Sequence, residues 1–434
     1  MRFILPVILF VTIAIFIGVT AQHPPLMAPS EANSFANTAR DIQQTNANTA
    51  TPTQQITSTP TQTPTATPTL TPAPVDDAIG PYTFASNINP LTGLEVDDPS
   101  SLDRRPIIVK VSNSPALVRP QSGIGQADLA WEHYTEAGVT RFSALFYSQA
   151  PERVGSIRSA RLIDYELAPM YQAILAFSGG SIGVEKRIFG SEVVKEFLCQ
   201  GREGDALEQC YVEADAHAPG IVPPSEFADR AYKGVLYGRP YYYRDEAIPV
   251  PHNMFVSVRD LWDLAEADGH AQRPDLIGMA FHPDPPENPT GSGIYAQIRY
   301  ETTLVEWHYE PESGLYYRSS DSLPHFDATL DQQITANNVV VAYTGHYLTD
   351  IIESGWGDNI HWSVQNTVWP QGDMILFRNG LRYEGTWVRP SRPELMGFRT
   401  TDGELLYLKP GNTWFQLVRL PEQMNPEREW VRWE

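Results

Sequence analysis

Three regimes of hydrophobicity follow one another along the chain. Phe3 to Val19 runs without a charge behind the single Arg2, and the small residues Val19-Thr20-Ala21 close the run. Positive, apolar, then small is the order of a secretory leader. The run also approaches the ~20 residues that span a bilayer. Residues 1–21 therefore read as a signal peptide or an N-terminal membrane anchor helix. Residues 22–80 lose all hydrophobic periodicity: they are rich in Asn, Gln, Thr and Pro, and Thr51 to Pro74 is almost entirely Thr, Pro and small residues. Such a tract cannot bury enough apolar area to offset its ordering entropy. Its prolines favour extended polyproline II, at about 3.1 Å per residue. The expectation is a disordered Thr/Pro-rich stalk.

Patterned sequence begins near Tyr82. Arg105-Pro-Ile-Ile-Val-Lys-Val-Ser112 reads as a strand stopped by Asn113-Ser-Pro115. Ala127 to Tyr134 and Arg141 to Tyr147 read as two more strands, and Arg158 to Tyr171 as a helix. Gln172 to Phe177 reads as a buried strand, followed by the turn Gly179-Gly-Ser181-Ile-Gly183 and a helix to about Leu198. A further helix is expected over Val258 to Ala267. From Ala296 onward the pattern is mostly strand, broken by Asn379-Gly380, Asp402-Gly403 and Pro410-Gly411-Asn412. That part should be mainly antiparallel β. The fold class is α+β.

Charge narrows the possible partners. The chain of 434 residues carries a net charge of -21, which argues against nucleic acid or anionic lipid as a general partner. Of 31 Lys+Arg, only Lys110, Lys186, Lys195, Lys233 and Lys409 are lysines, so the cation is arginine, suited to planar, bidentate contacts. Cys199 and Cys210 lie close together in a polar stretch, and a local disulfide is the expected state in an exported chain. Closing so short a loop contributes roughly 2–3 kcal/mol. No cysteine stands in the leader, which excludes a lipid-modified cysteine as the anchor.

Several stretches together resemble one family. They are Asn89-Pro-Leu-Thr-Gly-Leu94, Arg119-Pro-Gln-Ser-Gly123, Gly138-Val-Thr-Arg-Phe142, Val154-Gly-Ser-Ile-Arg-Ser-Ala-Arg161, Pro251-His-Asn-Met-Phe255, Asn338-Val-Val-Val341 and Pro410-Gly-Asn-Thr-Trp414. In that order they resemble the YerB-like family of lipoprotein-like bacterial proteins, built on a domain of unknown function in two parts. The resemblance implies an N-terminal layered α/β domain, here 81–250, a β-rich C-terminal domain, here 251–424, and a place in the cell envelope. It implies no catalytic residue.

Four constellations could carry chemistry. Between Arg104 and Arg161 stand eight cations (Arg104, Arg105, Lys110, Arg119, Arg141, Arg153, Arg158, Arg161) against four acids (Asp128, Glu132, Glu136, Glu152). This is a positive island in an acidic protein. Arginine grips carboxylate or phosphate with two parallel hydrogen bonds, so Arg119, Arg141, Arg158 and Arg161 are candidate ligand-binding residues, with Glu132 and Glu136 as orienting partners. The competing reading is a set of buried ion pairs. Gly179-Gly-Ser181-Ile-Gly183 matches the G-x-S-x-G elbow of serine hydrolases, with Ser181 as nucleophile and Asp215 with His217 or His252 completing a triad. The competing reading is a tight strand-to-helix turn. The histidines show no metal-ligand spacing, so neither a metal nor another cofactor is expected. Trp356, Trp362, Trp369, Trp387, Trp414, Trp430 and Trp433 crowd the C-terminal part. Exposed, they could stack on sugar rings; more often such residues fill a core. The Ser-x-x-Lys signature is absent. The expectation is a binding protein of the envelope, engaging a cell-wall component or an envelope protein. A serine hydrolase and a non-catalytic scaffold for membrane proteins are the alternatives.

Overall fold

A computed structural model of the protein describes residues 77–217, 220–234, 238, 240–356 and 359–434. The leader expected over 1–21 and the stalk up to residue 76 lie outside them. Ile107–Ser112 forms strand β1, and all six residues are buried. A near-continuous apolar run is what a strand covered on both faces requires. Around it lie β2 (Leu129–Tyr134), β3 (Thr140–Phe146), the short β4 (Val154–Gly155), β5 (Ile174–Phe177), β6 (Ala231–Lys233), β7 (Tyr242–Arg244) and β8 (Met254–Val256). The helices are α1 (Leu162–Met170), α2 (Ile182–Phe189), α3 (Ser191–Cys199), α4 (Asp205–His217) and α5 (Val258–Ala267).

Strands dominate after α5. They begin with β9 (Gly291–Ser292), β10 (Tyr295–Arg299), β11 (Leu304–Glu310) and β12 (Leu315–Ser320). Four two-residue strands follow: β13 (Leu323–Pro324), β14 (Phe326–Asp327), β15 (Gln332–Gln333) and β16 (Thr335–Ala336). Next come the long β17 (Asn338–Trp356), β18 (Asn359–Thr367), β19 (Gln371–Arg378), β20 (Leu381–Val388), β21 (Gly397–Thr400), β22 (Thr413–Arg419) and β23 (Trp430–Trp433). The protein is α+β, as expected.

One large sheet runs in the order β21-β20-β19-β17-β22-β2-β3-β1-β5-β6, with β18 added on β17 and β9 on β20. Strand β22 pairs parallel with β2 on one side, Leu129 opposite Thr413 and Glu132 opposite Gln416. On its other side it pairs parallel with β17. The two sequence regions thus contribute adjacent halves of one sheet. The boundary near residue 250 divides the chain without dividing the sheet, and residues 72–434 form one compact unit. Parallel pairs also join β1 to β5 and β5 to β6.

Each face of this sheet has its own core. Leu129, Trp131, Leu145 and Leu175 point to one side, packed with Ile163 and Leu167 of α1 and Val184 and Ile188 of α2. Ile107, Val109, Phe142 and Ala144 point to the other, packed with Leu261 of α5 and with a six-stranded antiparallel sheet containing β10, β11, β12 and β23. Each such side chain removed from water contributes roughly 1.5–3 kcal/mol. The second sheet follows a period of two: Tyr316, Arg318 and Ser320 of β12 face inward and their neighbours are partly exposed.

Two local expectations change. The helix expected from Arg158 starts at Leu162, because residues 158–160 are held extended between strand ends. Arg158 N–H donates to Lys110 O at 2.9 Å, and Ala160 N–H to Gly179 O at 2.8 Å. Asp164 then caps the helix by accepting from Arg161 N–H at 2.7 Å. The stretch between the cysteines is also more than a loop, since α4 occupies its second half. The Cys199–Cys210 disulfide ties the end of α3 to α4.

Arg318 pins the two sheets together. Its side chain is fully buried and donates to Glu132 Oε2 at 2.7 Å. It also bonds His325 Nδ1 and lies over the rings of Phe142, Trp307 and Trp414, 5.2–5.8 Å from their centroids. Burial, then the neighbouring Arg318 and Arg119 cations, hold His325 well below its ordinary pKa, so a neutral ring accepts from Arg318 and donates through Nε2 to Gln121 Oε1 at 2.5 Å. Removing one partner of a buried pair strands the other charge, at a cost of about 3–5 kcal/mol. Arg318→Ala should lower unfolding free energy by that amount in denaturant titrations. Arg119→Ala, whose partner Asp321 is 40% exposed, should cost at most about 1 kcal/mol. Equal losses would contradict this assignment.

Candidate anion-binding cleft

The extended segment before α1 crosses the C-terminal end of β1, and Ser178 N–H donates to Arg158 O at 3.0 Å just beyond β5. Open α/β sheets bind ligands at the C-terminal ends of their parallel strands. A cavity of about 680 Å³ lies there, with Ser178 after β5 and Gly234 after β6 in its wall. Arg158, Ser159, Tyr242, Tyr243, Arg244 and Pro251 complete most of the lining. Among the described lining residues two are arginines and none is a carboxylate.

Arg158 is the least satisfied cation of this group. Among the described residues its one side-chain hydrogen bond runs from Nη1 to Pro251 O at 3.5 Å, and its buried Nε meets no acceptor. Burial, then the adjacent Arg161 cation, lower its pKa, with Glu136 opposing. Next to it, burial and then Arg158 lower the pKa of His252, whose Nδ1 also lacks a partner. Arg244 donates from Nη1 to Asn253 Oδ1 at 2.7 Å. A guanidinium has five N–H donors, so this wall has spare donor capacity for a carboxylate or phosphate.

The other expected binding residues are spread over three places. Arg141 and Arg161 stand behind the cleft, both bonded to Glu136. Arg161 also lies 3.5 Å from Glu353 Oε2 on β17. Arg141 donates to Ser159 O at 2.9 Å and Arg161 to Ala160 O at 2.8 Å, so they brace the backbone that carries Arg158. Burial, then the neighbouring Arg161, push Arg141 down to about 9. Burial works against the Glu136 carboxylate, but the hydrogen bonds and charge of Arg161, with the charge of Arg141, outweigh it and hold its pKa at about 2. Arg119 sits elsewhere, bonded to Ser320 and Asp321 of the second sheet's edge. Glu132 orients no arginine of the island: it accepts from Arg318, and also from Asn113 Nδ2 at 3.1 Å and Thr140 Oγ1 at 2.8 Å.

Ser181 works as a helix cap. Its Oγ accepts from Val184 N–H at 3.4 Å, and among the described residues no histidine bonds to it. Asp215 is taken by Lys186 at 2.9 Å and Lys195 at 3.0 Å. His252 neighbours Arg158 rather than Ser181, and the side chain of His217 lies outside the described residues. No triad forms among the described atoms. Among the described residues no group of three or more His, Cys, Asp or Glu is placed to hold a metal ion.

Two contributors went unread in the sequence. Arg244 enters the cleft from β7 beside Tyr242 and Tyr243, and the three residues of that strand show no strong periodic signal. A buried polar cluster also underlies the sheet face beneath α1. Lys110 Nζ reaches His133 Nε2 at 2.6 Å, Ser143 Oγ at 2.9 Å and Asp164 at 2.9 Å, and Ser143 donates to Asp164 Oδ1 at 2.7 Å. Burial, against the attraction of Asp164, lowers Lys110 to about 8. The signal available was a lysine inside Ile-Ile-Val-Lys-Val.

Comparison with known proteins places the chain. Residues 91–271 match the family model described as "Protein of unknown function (DUF3048) N-terminal domain", and residues 296–415 match its C-terminal domain. The chain belongs to the DUF3048 family. It is similar to "Putative lipoprotein YerB" of Bacillus subtilis (strain 168), 26% identical over 340 residues, covering 76% of this chain and 85% of that protein. The crystal structure of Bacillus subtilis YerB superposes with a TM-score of 0.58 at 24% identity, covering 80% of this chain and 99% of that one. That match shows a shared fold. Within the DUF3048 N-terminal part lie Arg158, Arg244 and the Glu136 brace.

The brace has a pH signature. A carboxylate whose folded pKa lies below its unfolded value stabilises the fold above the unfolded pKa, and that stability is lost as pH falls through the folded one. For Glu136, falling from 4.5 to about 2, the loss spans that interval and is bounded by about 3 kcal/mol. Unfolding free energies measured across acid pH should therefore decline for the wild type, and Glu136→Gln should start lower at neutral pH and decline less. A variant curve parallel to the wild type would contradict the brace.

Proposed function

We propose that this DUF3048 protein is an extracytoplasmic envelope protein that binds an anionic cell-wall component, or an anionic surface of a wall-synthesis partner, through the Arg158 cleft. The observation that carries the reading is the cleft's charge. In a chain of net charge -21, the described lining of this cavity holds Arg158 and Arg244 and no carboxylate. The apolar leader and the Thr/Pro-rich composition of the tract after it support a folded part that works outside the membrane. The name of its Bacillus relative, a lipoprotein, points to the same compartment. On this reading the apolar segment Phe3 to Val19 is the membrane attachment.

The role proposed is recognition without bond-breaking. Arg158 supplies the charge and the uncommitted donors, Arg244 closes the opposite side, and Ser159 and Ser178 add hydroxyls. Arg141 and Arg161 hold the backbone, their charges balanced by Glu136 and Glu353.

Retention on purified cell wall tests this directly. Binding should weaken as salt rises, because exposed charge contacts are screened. A hydrogen bond to a charged group contributes about 1.5–3 kcal/mol, so Arg158→Ala with Arg244→Ala should lower retention roughly tenfold or more while the melting temperature stays near that of the wild type. Retention that ignores both salt and the double substitution would overturn the reading.

A further inference from the structure

A second cavity, of about 370 Å³, lies where β18 leaves the sheet beside α1 and α2, and it differs in character from the arginine cleft. Its walls come from Tyr165 and Glu166 of α1, Arg187 of α2, Gln365 and Asn366 of β18, and Trp369 just beyond. That volume is at the low end of small-ligand sites, roughly 300–1,000 Å³.

Three observations there are unexplained by folding. Trp369 is 50% exposed, whereas Trp131, Trp307, Trp387 and Trp414 are each at most 1% exposed. A large ring left in water forgoes the stabilisation that burial brings the others. Asn366 is 1% exposed, yet among the described residues neither its Oδ1 nor its Nδ2 has a hydrogen-bond partner. An unsatisfied buried polar group costs about 1–3 kcal/mol, and this residue carries both a donor and an acceptor left unmet. Arg187 is exposed and makes no ion pair among the described residues. Glu166, by contrast, is committed, held by Arg392 at 2.7 Å and by Arg389 at 3.4 Å. It fixes α1 to the loop before β21 and keeps the cavity wall in place.

We infer that this cavity is a saccharide-binding subsite, with Trp369 as the stacking face and Asn366, Gln365 and Arg187 as the hydrogen-bonding edge. The chemistry selects the class. A pyranose has a flat apolar C–H face and a rim of hydroxyls that both donate and accept. An exposed indole meets the face. Side-chain amides, which donate and accept from one planar group, meet the rim, and neighbouring hydroxyls can satisfy both atoms of Asn366. Tyr165, the other aromatic residue of the wall, is packed against Phe227 and under the Arg392 guanidinium, which leaves the Trp369 face as the one offered to a sugar ring. The subsite stands on its own residues and shares none with the Arg158 cleft, so either site can fail without the other.

The test uses the full chain and neutral oligosaccharides of different linkage: chitotriose, cellotriose and maltotriose, with AMP as a control. Saturation-transfer NMR should detect at least one trisaccharide at concentrations up to about 10 mM. Trp369→Ala removes an exposed ring and should leave melting unchanged while weakening that binding at least about tenfold. Gln365→Ala should weaken it about three- to tenfold, and Arg158→Ala should leave it unchanged. The inference is overturned if no trisaccharide binds, if Trp369→Ala binds within about twofold of the wild type, or if AMP binds with the same Trp369 dependence.

Discussion

The carboxylate of Glu136 pairs with two arginines at once, and the chemistry of the cleft depends on that. Arg141 and Arg161 approach one another behind the segment that precedes α1, where burial disfavours both charges and Arg161 repels that of Arg141. Glu136 bonds to both and Glu353 reaches Arg161 from β17, so the interior there is balanced. With those charges settled, their remaining donors hold the carbonyls of Ser159 and Ala160. Arg158, between them in sequence, is left facing the cavity with most of its donors unspent among the described residues. A cation network thus becomes a rigid mount for one uncommitted cation.

The contact to Glu353 ties this mount to the second half of the chain. Strand β17 pairs with β22, and β22 pairs with β2, so the long ribbon that carries Glu353 and Trp369 hangs from the same sheet that carries the arginine cleft. The parallel pairing of β2 and β22 makes the two matched parts of the DUF3048 family a single folded body, whichever ligand each surface meets. Arg318 repeats the arrangement on the opposite face, a buried guanidinium joining the smaller sheet to Glu132.

Much of the fold was readable from local pattern. The apolar runs of β1 and β5 announced strands, the turn signals after Ala296 a mainly antiparallel β part, and the spacing of Cys199 and Cys210 a short-range bridge. Long-range pairing was not readable, because nothing in Leu129–Tyr134 says that its neighbour is Thr413–Arg419. The site divides in the same way. A cluster of arginines was visible, but which were spent internally depended on Glu353, Ser320 and Asp321, all distant in sequence. Arg119 and Glu132 therefore fell outside the cleft, and Arg244 entered it from a strand too short to stand out. Ser181 matched a catalytic pattern that also describes a helix cap, and the nearby acid was occupied by lysines.

The most direct measurement is the arginine side-chain Nε–Hε NMR spectrum of the full chain as solubilised cell-wall fragments are added. The account predicts that the Arg158 resonance shifts and sharpens as its unpartnered Nε–H gains an acceptor, while those of Arg141 and Arg161, already engaged with Glu136, stay in place. Shifts at Arg141 and Arg161 with Arg158 unmoved, or no shift at any of the three, would contradict it.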